Sequence, residues 1–503
     1  MKIDVTLPHG VPNLPSGLEW ASKSEAREGT SRLIYAATEE PLVDVPDASE
    51  ADVETAVSRA RDTFARGTWR KLPAAERARM LAKCEAAVLA HADELATLQV
   101  LETGMPYSQV RGMHVTRSAE NFRFFGELIT GLSGESYEQT GRYLSIVTRE
   151  PVGVGLLIAP WNAPLVLGSM KMAAAIALGN SVIVKPSEYA PLAIMRLVEI
   201  LEEAGLPEGL VQVVTGPGAS VGARLVRHPG VDVVGFIGGT ATGKRIMADA
   251  AFGLKKVGLE LGGKSANIVL ASADFDRALD GTMLGFLAGN GEQCLSGSRI
   301  LVDDSIADRF IQALVARVEN VKVGDPFAPE TELGPMAFKA HYDRVLSFAG
   351  EAQASEDYRV LAGAKQADGF DRGYFVAPTV VEASENSSRL CQEEIFGPFV
   401  MVQRVRNLDD ALARANDSEF GLVSYIWSND LPSVMRARRE LQAGTVWVNT
   451  PMARDLRAPF GGYKQSGIGR DGIPGSIELF TEEKTTMIPQ EPLDLPRIGG
   501  EQS

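Results

Sequence analysis

Three short segments of the 503-residue sequence place a reactive side chain beside glycine or proline. Cys294 follows a predicted helix and precedes a predicted strand, so its thiol lies on a loop at the end of a sheet. Glu260 is enclosed by leucines and glycines, where loss of hydration would raise its pKa toward that of a useful base. Asn162 ends a buried strand, and its amide group could donate to a developing oxyanion. Each segment taken alone also fits a purely structural role.

A glycine-rich loop indicates a nucleotide site. The buried strand that ends near Ile237 leads through Gly238 and Gly239 into a helix whose free N–H groups could face a phosphate, although glycines also serve ordinary tight turns. Lys185 and Glu188 follow another strand, where a ribose would lie in this topology, or they form a solvated loop. If Glu188 is functional, it would bind a ribose 2′-hydroxyl and repel a 2′-phosphate, which favours NAD over NADP.

Two series of alternating strands and helices must position these residues. Residues 51–130 have the apolar spacing of helices, and four buried strands alternating with helices follow from Val152. A second series begins near Asn267. Two βαβ series in tandem predict an α/β fold with a crevice between two parallel sheets. The polar and apolar alternation before Val152 predicts a solvent-facing hairpin and a candidate contact between subunits.

Composition excludes several other classes of protein. The chain has 65 Asp and Glu against 50 Lys and Arg, a net charge of −15, without the clustered basic surface that nucleic acid or a membrane surface requires. The N-terminus lacks the pattern of a secretory signal and no run of about 18 apolar residues occurs, so we expect a soluble cytoplasmic protein. The three cysteines have no Cys-x-x-Cys spacing, which predicts free thiols and no metal site.

Taken together, the unusual segments form a known pattern over nearly the whole chain. They are PWNAP (160–164), KPSE (185–188), FIGGTATG (236–243), LELGGKS (259–265), GEQCLSGSR (291–299), EEIFGP (393–398) and PFGGYKQSGIGR (459–470). In order and spacing they resemble the aldehyde dehydrogenase superfamily. The resemblance implies two Rossmann-like doubly wound domains and a small β oligomerisation element. The implied ranges are 1–129 and 152–262 for the NAD-binding domain, 263–461 for the catalytic domain, and 130–151 with 475–503 for assembly into a homodimer or homotetramer.

The resemblance also assigns roles to the reactive side chains. Cys294 is the implied nucleophile toward an aldehyde, Asn162 with the Cys294 backbone N–H the oxyanion hole, and Glu260 the base that activates water. A carboxylate at position 260 implies hydrolysis of the thioester to an acid, because relatives that transfer the acyl group to coenzyme A generally lack it. NAD is the implied cofactor, with NADP less favoured. The implied cofactor-binding residues are Ile158, Trp161, Lys185, Ser187, Glu188, Gly218, Phe236, Gly238, Gly239, Thr240, Gly243, Leu261, Gly262, Glu394 and Phe396.

One position departs from the pattern of the family. Many relatives place a carboxylate shortly after the GxGR segment, facing the equivalent of Lys171 as a possible proton relay. Here Pro474 stands near the expected carboxylate, so Lys171 is either unpaired or merely structural, and the relay is left out of the catalytic set.

The segment RDLRAPFGG predicts the class of aldehyde. It resembles the hydroxymuconic semialdehyde dehydrogenases and their carboxymethyl relatives, whose substrates carry carboxylates. Arg454 and Arg117 would hold such a carboxylate through bidentate hydrogen bonds, with Arg457 and Phe460 completing the substrate site. The alternatives are that Arg117 caps a surface helix and that Arg457 pairs with Asp455.

Three other functions remain open at this point. A dehydrogenase of broad specificity for aromatic or aliphatic aldehydes is favoured by Ala163, which would widen the substrate tunnel. A crystallin-like scaffold without turnover would be free to lose Cys294, Glu260 or Asn162, which are all present. A cysteine hydrolase normally needs a histidine beside the thiol, and no histidine falls within the shared motifs.

Overall fold

A computed structural model of the protein describes residues 2–6, 17–21, 29–139, 141–496 and 498–499. The remaining parts of the predicted ranges 1–129 and 475–503 lie outside these residues, and so does Thr140 in the predicted hairpin. The α-helices described are Glu50–Arg66, Ala74–Ala90, Ala92–Thr103, Tyr107–Gln109, Thr116–Thr130, Pro164–Ala177, Leu192–Glu203, Ala223–Arg227, Thr240–Ala251, Phe275–Leu287, Asp304–Val318, Lys339–Ala354, Arg389–Gln392, Leu408–Asn416, Leu431–Glu440 and Ile473–Phe480. None of them combines the length and apolar character needed to cross a bilayer.

The first series of strands forms a six-stranded sheet. In spatial order its strands are Gly467–Ile468, Lys256–Glu260, Val233–Ile237, Val154–Ile158, Ser181–Lys185 and Val211–Val213. All neighbours are parallel except Gly467–Ile468, and the central strands are buried on both faces by helices, which explains their nearly continuous apolar runs. Ile158 is in register with Lys185 and Phe236, and Ile237 with Glu260. The carboxyl ends of four strands therefore meet at one edge.

The second series forms a seven-stranded sheet. Its strands in spatial order are Tyr358–Ala362, Thr379–Ala383, Phe399–Val405, Arg299–Asp303, Ala266–Val269, Val423–Trp427 and Thr445–Val448. Only the first pair is antiparallel. The two doubly wound sheets confirm the predicted fold class.

The predicted hairpin belongs to a three-stranded antiparallel sheet. Glu135–Gln139 pairs with Tyr143–Pro151, which also pairs with Thr481–Pro489. The C-terminal strand expected near Ile477 starts four residues later, because Ile473–Phe480 is a helix. Pro474 lies in its first turn, where a fixed φ and a missing N–H favour helix formation.

The described residues also form three two-stranded sheets: Lys2–Thr6 with Gly17–Ala21, Gly29–Tyr35 with Glu40–Asp47, and Phe420–Gly421 with Tyr463–Lys464.

Candidate active site

A cleft of about 720 Å³ opens at the edge where the strand ends meet. Strand ends of the six-stranded sheet line one part of it, and segments of the second α/β series that carry Cys294, His341 and Glu394 line another. Cys294, Glu260 and Asn162 all face this cleft, although they are far apart in sequence. Most of the predicted cofactor residues line it as well. These are Ile158, Trp161, Lys185, Ser187, Glu188, Gly218, Phe236, Gly238, Gly239, Leu261, Gly262, Glu394 and Phe396.

The part of the cleft nearest the six-stranded sheet fits a dinucleotide. The helix Thr240–Ala251 begins here without a side-chain cap, which leaves its first N–H groups available to a phosphate. A Cβ atom built on Gly239 would meet nothing within 4 Å, so there is room for a ligand against the backbone. The Lys185 ammonium lies 3.2 Å from the Glu188 carboxylate, which also accepts a 3.4 Å hydrogen bond from the Gly218 N–H. Cation, carboxylate and free amides are the groups that a ribose and a diphosphate require.

Two predicted cofactor residues do not line the cleft. The Thr240 hydroxyl donates to the Gln465 carbonyl at 3.4 Å. Gly243 lies on the inner side of its helix, where a Cβ atom would come within 2.5 Å of the Leu261 side chain. Gly243 therefore allows helix and strand to approach closely, and it is Thr242 that faces the cleft. The motif correctly marked the loop but could not distinguish packing from contact.

The predicted nucleophile and the predicted base both have raised pKa values, for partly different reasons. Burial, followed by the charges of Glu394 and Glu260, raises the pKa of the Cys294 thiol to about 12. Burial and the Asp471 carboxylate raise the pKa of Glu260 well above its ordinary value, against the opposing effect of Lys171, Arg454 and Arg470. A carboxylate with a raised pKa is the stronger base that deprotonation of a thiol or water requires.

A hydrogen bond to the loop that carries the thiol holds the Asn162 side chain in place. Its Nδ2 atom donates to the Glu292 carbonyl oxygen at 2.7 Å, and the side chain is 8% exposed. An amide nitrogen has two N–H groups, so this bond orients the side chain and leaves the second N–H for an oxyanion.

Of the two alternatives for Lys171, the structure excludes an unpaired side chain. Lys171 donates to the Asp471 carboxylate at 2.6 Å, and both side chains are buried. The carboxylate directly follows Arg470 in the sequence, three residues earlier than the position taken for it. Lys171 and Asp471 form a buried ion pair that acts electrostatically on Glu260.

The loop 394–398 lies across the cleft from the catalytic loop. The Glu394 carboxylate accepts a 2.9 Å hydrogen bond from the Gly263 N–H, and burial raises its pKa to about 7. Phe396 has a left-handed backbone, with φ of 65°, and its ring packs edge-on against Trp161 at 5.3 Å between centroids.

Sequence reasoning missed a group of aromatic and basic residues that line the same cleft: Tyr189, Phe338, His341 and Arg344. Tyr189 follows a strand of the six-stranded sheet and stacks on Phe338, beside the helix Lys339–Ala354, with 3.8 Å between ring centroids. Three of these residues lie in a segment without a motif, so only the fold could bring them here. The missed signal was the concentration of aromatic and basic residues in Phe338–Arg344.

The predicted substrate residues are not among those that line this cleft. Arg454 is half-buried, with its Nη2 atom 3.1 Å from the Met170 sulfur and its guanidinium 4.5 Å from the centroid of Phe460. The positive charge of Arg454 opposes the rise in the pKa of both Cys294 and Glu260 and makes it smaller. Phe460 is buried in the apolar cluster that Cys294 and Met452 contact.

The second predicted arginine lies close to the first. Arg117 is half-buried, and burial, followed by the charge of Arg454, lowers its pKa. Within the described residues neither guanidinium forms an ion pair, and the Arg454 Nε atom is buried without a hydrogen-bond partner. Arg457 does not join them, because its side chain is 77% exposed and binds the Asp455 carboxylate at 2.6 Å.

The other two cysteines differ from Cys294. Cys84 and Cys391 have no exposed surface, and burial raises the pKa of Cys84 to about 12. Cys294 is partly exposed and faces the cleft.

Comparison with known proteins identifies the family. The model of the aldehyde dehydrogenase family matches residues 20–486. The chain is 40% identical to the NADP/NAD-dependent aldehyde dehydrogenase PuuC of Escherichia coli K12, over 93% of this chain and 94% of that protein. It is also 40% identical to a 5-carboxymethyl-2-hydroxymuconate semialdehyde dehydrogenase of Escherichia coli, over 87% and 93% of the two chains.

A solved structure agrees with this match. The NAD+ complex of an aldehyde dehydrogenase from Bacillus cereus has a TM-score of 0.89 and 38% identity, over 92% of this chain and 93% of that one. The family model covers most of the chain and the overall fold matches the solved structure, so the chain is a member of the aldehyde dehydrogenase family.

Proposed function

We propose that this aldehyde dehydrogenase oxidises an aldehyde that also carries a carboxylate group, with NAD as the electron acceptor. The observation that carries the proposal is that the half-buried guanidinium groups of Arg117 and Arg454 lie close together, and that the charge of Arg454 acts on Cys294. Two like charges that form no salt bridge within the described residues are stabilised by an anion, and a carboxylate accepts two hydrogen bonds from one guanidinium. The name of the semialdehyde dehydrogenase relative describes a substrate of this kind.

In the proposed reaction Glu260 takes the proton from Cys294, and the resulting thiolate adds to the aldehyde carbon. The second N–H of Asn162 donates to the oxyanion that forms. Loss of one such donor typically costs about 2.7–4 kcal/mol. NAD, when bound, accepts the hydride that leaves the substrate carbon. Loss of the hydride turns the oxyanion into a thioester on Cys294. Glu260 releases its first proton to solvent and then takes a second proton from water, whose oxygen attacks the thioester. The carbon–sulfur bond breaks, the acid is released, and Glu260 returns the proton to the Cys294 sulfur.

The residues of the cofactor cleft have proposed roles of their own. Glu188 and Lys185 bind the ribose farther from the thiol, and the N–H groups that open the helix Thr240–Ala251 bind the diphosphate. Glu394 binds the nearer ribose, and Phe396 packs beside the nicotinamide ring.

The experiment compares two aldehydes that differ in one charge. The values of kcat/KM for 4-carboxybenzaldehyde and for its neutral methyl ester are measured with wild type, Arg454→Ala and Arg457→Ala. A charge-assisted hydrogen bond contributes about 1.5–3 kcal/mol, so Arg454→Ala should lower kcat/KM for the acid by about 10- to 150-fold relative to the ester. Arg457→Ala removes the same charge from the same loop but should change neither value. Equal losses for acid and ester, or no loss with Arg454→Ala, would exclude the carboxylate site.

A further inference from the structure

The histidine that sequence reasoning set aside is the centre of a buried hydrogen-bonded group in the cofactor cleft. The His341 ring nitrogen Nε2 lies 2.6 Å from the Phe396 carbonyl oxygen and 3.6 Å from the Glu292 carboxylate. A carbonyl oxygen can only accept, so Nε2 carries the hydrogen. Burial lowers the pKa of His341 to about 4, which keeps the ring neutral at physiological pH. It therefore acts as a fixed hydrogen-bond donor.

The carbonyl that His341 binds belongs to a backbone conformation that needs support. Phe396 has φ of 65°, a region that bulky side chains rarely adopt, and such residues cost on the order of 1–3 kcal/mol. The preceding carbonyls are held from the same helix, because Arg344 donates to the carbonyl oxygens of Ile395, at 2.7 Å, and Glu394, at 2.6 Å. Three consecutive carbonyls are thus bound by one turn of the helix Lys339–Ala354.

The same histidine also faces the loop that carries the thiol. The Glu292 carboxylate accepts a hydrogen bond from the Ala337 N–H at 3.0 Å, and the Glu292 carbonyl oxygen accepts the Asn162 amide. The His341 ring packs against Trp161 at 5.0 Å and Phe396 at 5.9 Å between centroids. His341 therefore lies between the residue that orients Asn162 and the loop that carries Glu394 and Phe396.

We propose that His341 is a positioning residue for the nicotinamide end of the cofactor: its Nε2–H holds Phe396 in the left-handed conformation that points the ring into the cleft. This inference rests on the proposed role of Phe396. Without the hydrogen bond, the Phe396 carbonyl is buried and unpaired, and the loop relaxes toward an ordinary backbone conformation. The ring then leaves its place beside the nicotinamide. Glu394 stays in place, because Arg344 holds its carbonyl oxygen and the Gly263 N–H holds its carboxylate, so the ribose and diphosphate sites are kept.

Two substitutions separate the hydrogen bond from the ring. His341→Phe keeps an aromatic ring against Trp161 and removes the donor, whereas His341→Gln loses the ring and keeps an amide N–H at similar reach. Ser347→Ala, on an exposed face of the same helix, is the matched control. Far-UV circular dichroism and Tm verify that each variant is folded.

The readout is binding to the full-length enzyme by calorimetry, with NAD+ and with ADP-ribose, which has both riboses and the diphosphate but no nicotinamide. His341→Phe should weaken NAD+ binding about five- to tenfold, the size expected for one buried hydrogen bond, and leave ADP-ribose within twofold. In turnover it should lower kcat while KM for the aldehyde stays within about twofold. His341→Gln and Ser347→Ala should match wild type in both assays.

Three results would overturn the role of His341: wild-type NAD+ affinity in His341→Phe, equal weakening of NAD+ and ADP-ribose, or a His341→Gln variant as weak as His341→Phe. A wild-type protein that binds neither ligand would instead contradict the cofactor assignment itself. The experiment therefore distinguishes failure of the inference from failure of the proposed function.

Discussion

The ion pair between Lys171 and Asp471 should contribute strongly to stability, because its side chains are only 5% and 8% exposed. Lys171→Met leaves a buried carboxylate without its cation, and breaking a buried pair from one side typically costs about 3–5 kcal/mol. With an unfolding entropy of about 2.1 cal/mol/K per residue over the 503 residues, 1 kcal/mol shifts Tm by about 1 °C, so Tm should fall by about 3–5 °C. The loss should persist at high salt, because water and ions do not reach the pair.

The assay is thermal unfolding of Lys171→Met, Asp471→Asn and the double variant, followed by circular dichroism. The double variant should be more stable than the sum of the two single losses predicts, because it leaves no isolated charge. Lys339→Met breaks an exposed Lys–Asp pair, with side chains 64% and 54% exposed, and should cost about 0–1 kcal/mol. Strictly additive losses, or a Lys171→Met variant no less stable than Lys339→Met, would refute the assignment of a stabilising buried pair.

Four further outcomes concern the cleft. Cys294→Ala should form no NADH from an aldehyde yet bind NAD+ with wild-type affinity, which spectrophotometry and calorimetry test. Glu260→Gln should give a burst of about one NADH per site and then slow turnover, because thioester hydrolysis needs the base; full steady-state turnover would remove Glu260 from that role. The rate at which iodoacetamide alkylates Cys294 should still be rising with pH at about pH 10, because burial raises the pKa of the thiol to about 12. Arg454→Met should slow alkylation, because loss of the positive charge raises this pKa further. Faster alkylation of the variant would contradict the direction of this effect. Glu188→Gln should raise the ratio of kcat/KM for NADP to that for NAD several-fold, and an unchanged ratio would exclude repulsion of the 2′-phosphate by Glu188.

Strand positions were predictable from the sequence where burial on both faces produces an uninterrupted apolar run. The strands ending at Ile158, Lys185 and Ile237 follow this rule, and parallel pairing then brings their carboxyl ends together. The strand Val423–Trp427 of the seven-stranded sheet was not predicted from the sequence, because Ser424 and Tyr425 interrupt its apolar pattern. Tertiary contacts make them suitable for burial, since the Tyr425 hydroxyl donates to the Leu295 carbonyl at 2.7 Å. A pattern along the chain contains no information on such a partner.

Contacts between segments that are distant in the chain were the second feature that could not be predicted from the sequence. Lys171 and Asp471 are 300 residues apart, and an error of three positions in one loop was enough to leave the lysine without a partner. His341 lies outside the motifs, and its role depends on which carbonyl its helix meets. By contrast, Arg457 and Asp455 are two residues apart, and their pairing was correctly anticipated as an alternative from sequence.

The cofactor cleft is lined by the six-stranded sheet and by loops and a helix of the second α/β series, so ligand binding depends on how the two series are packed together. A ligand that contacts Glu188 on one side and Glu394 on the other binds only while the two sheets keep their native arrangement. At a concentration of 100 times Kd such a ligand adds about 2.7 kcal/mol to the free energy of unfolding. The ratio of ligand-bound to free enzyme would therefore set how often the two halves separate, and so how long a molecule survives proteolysis.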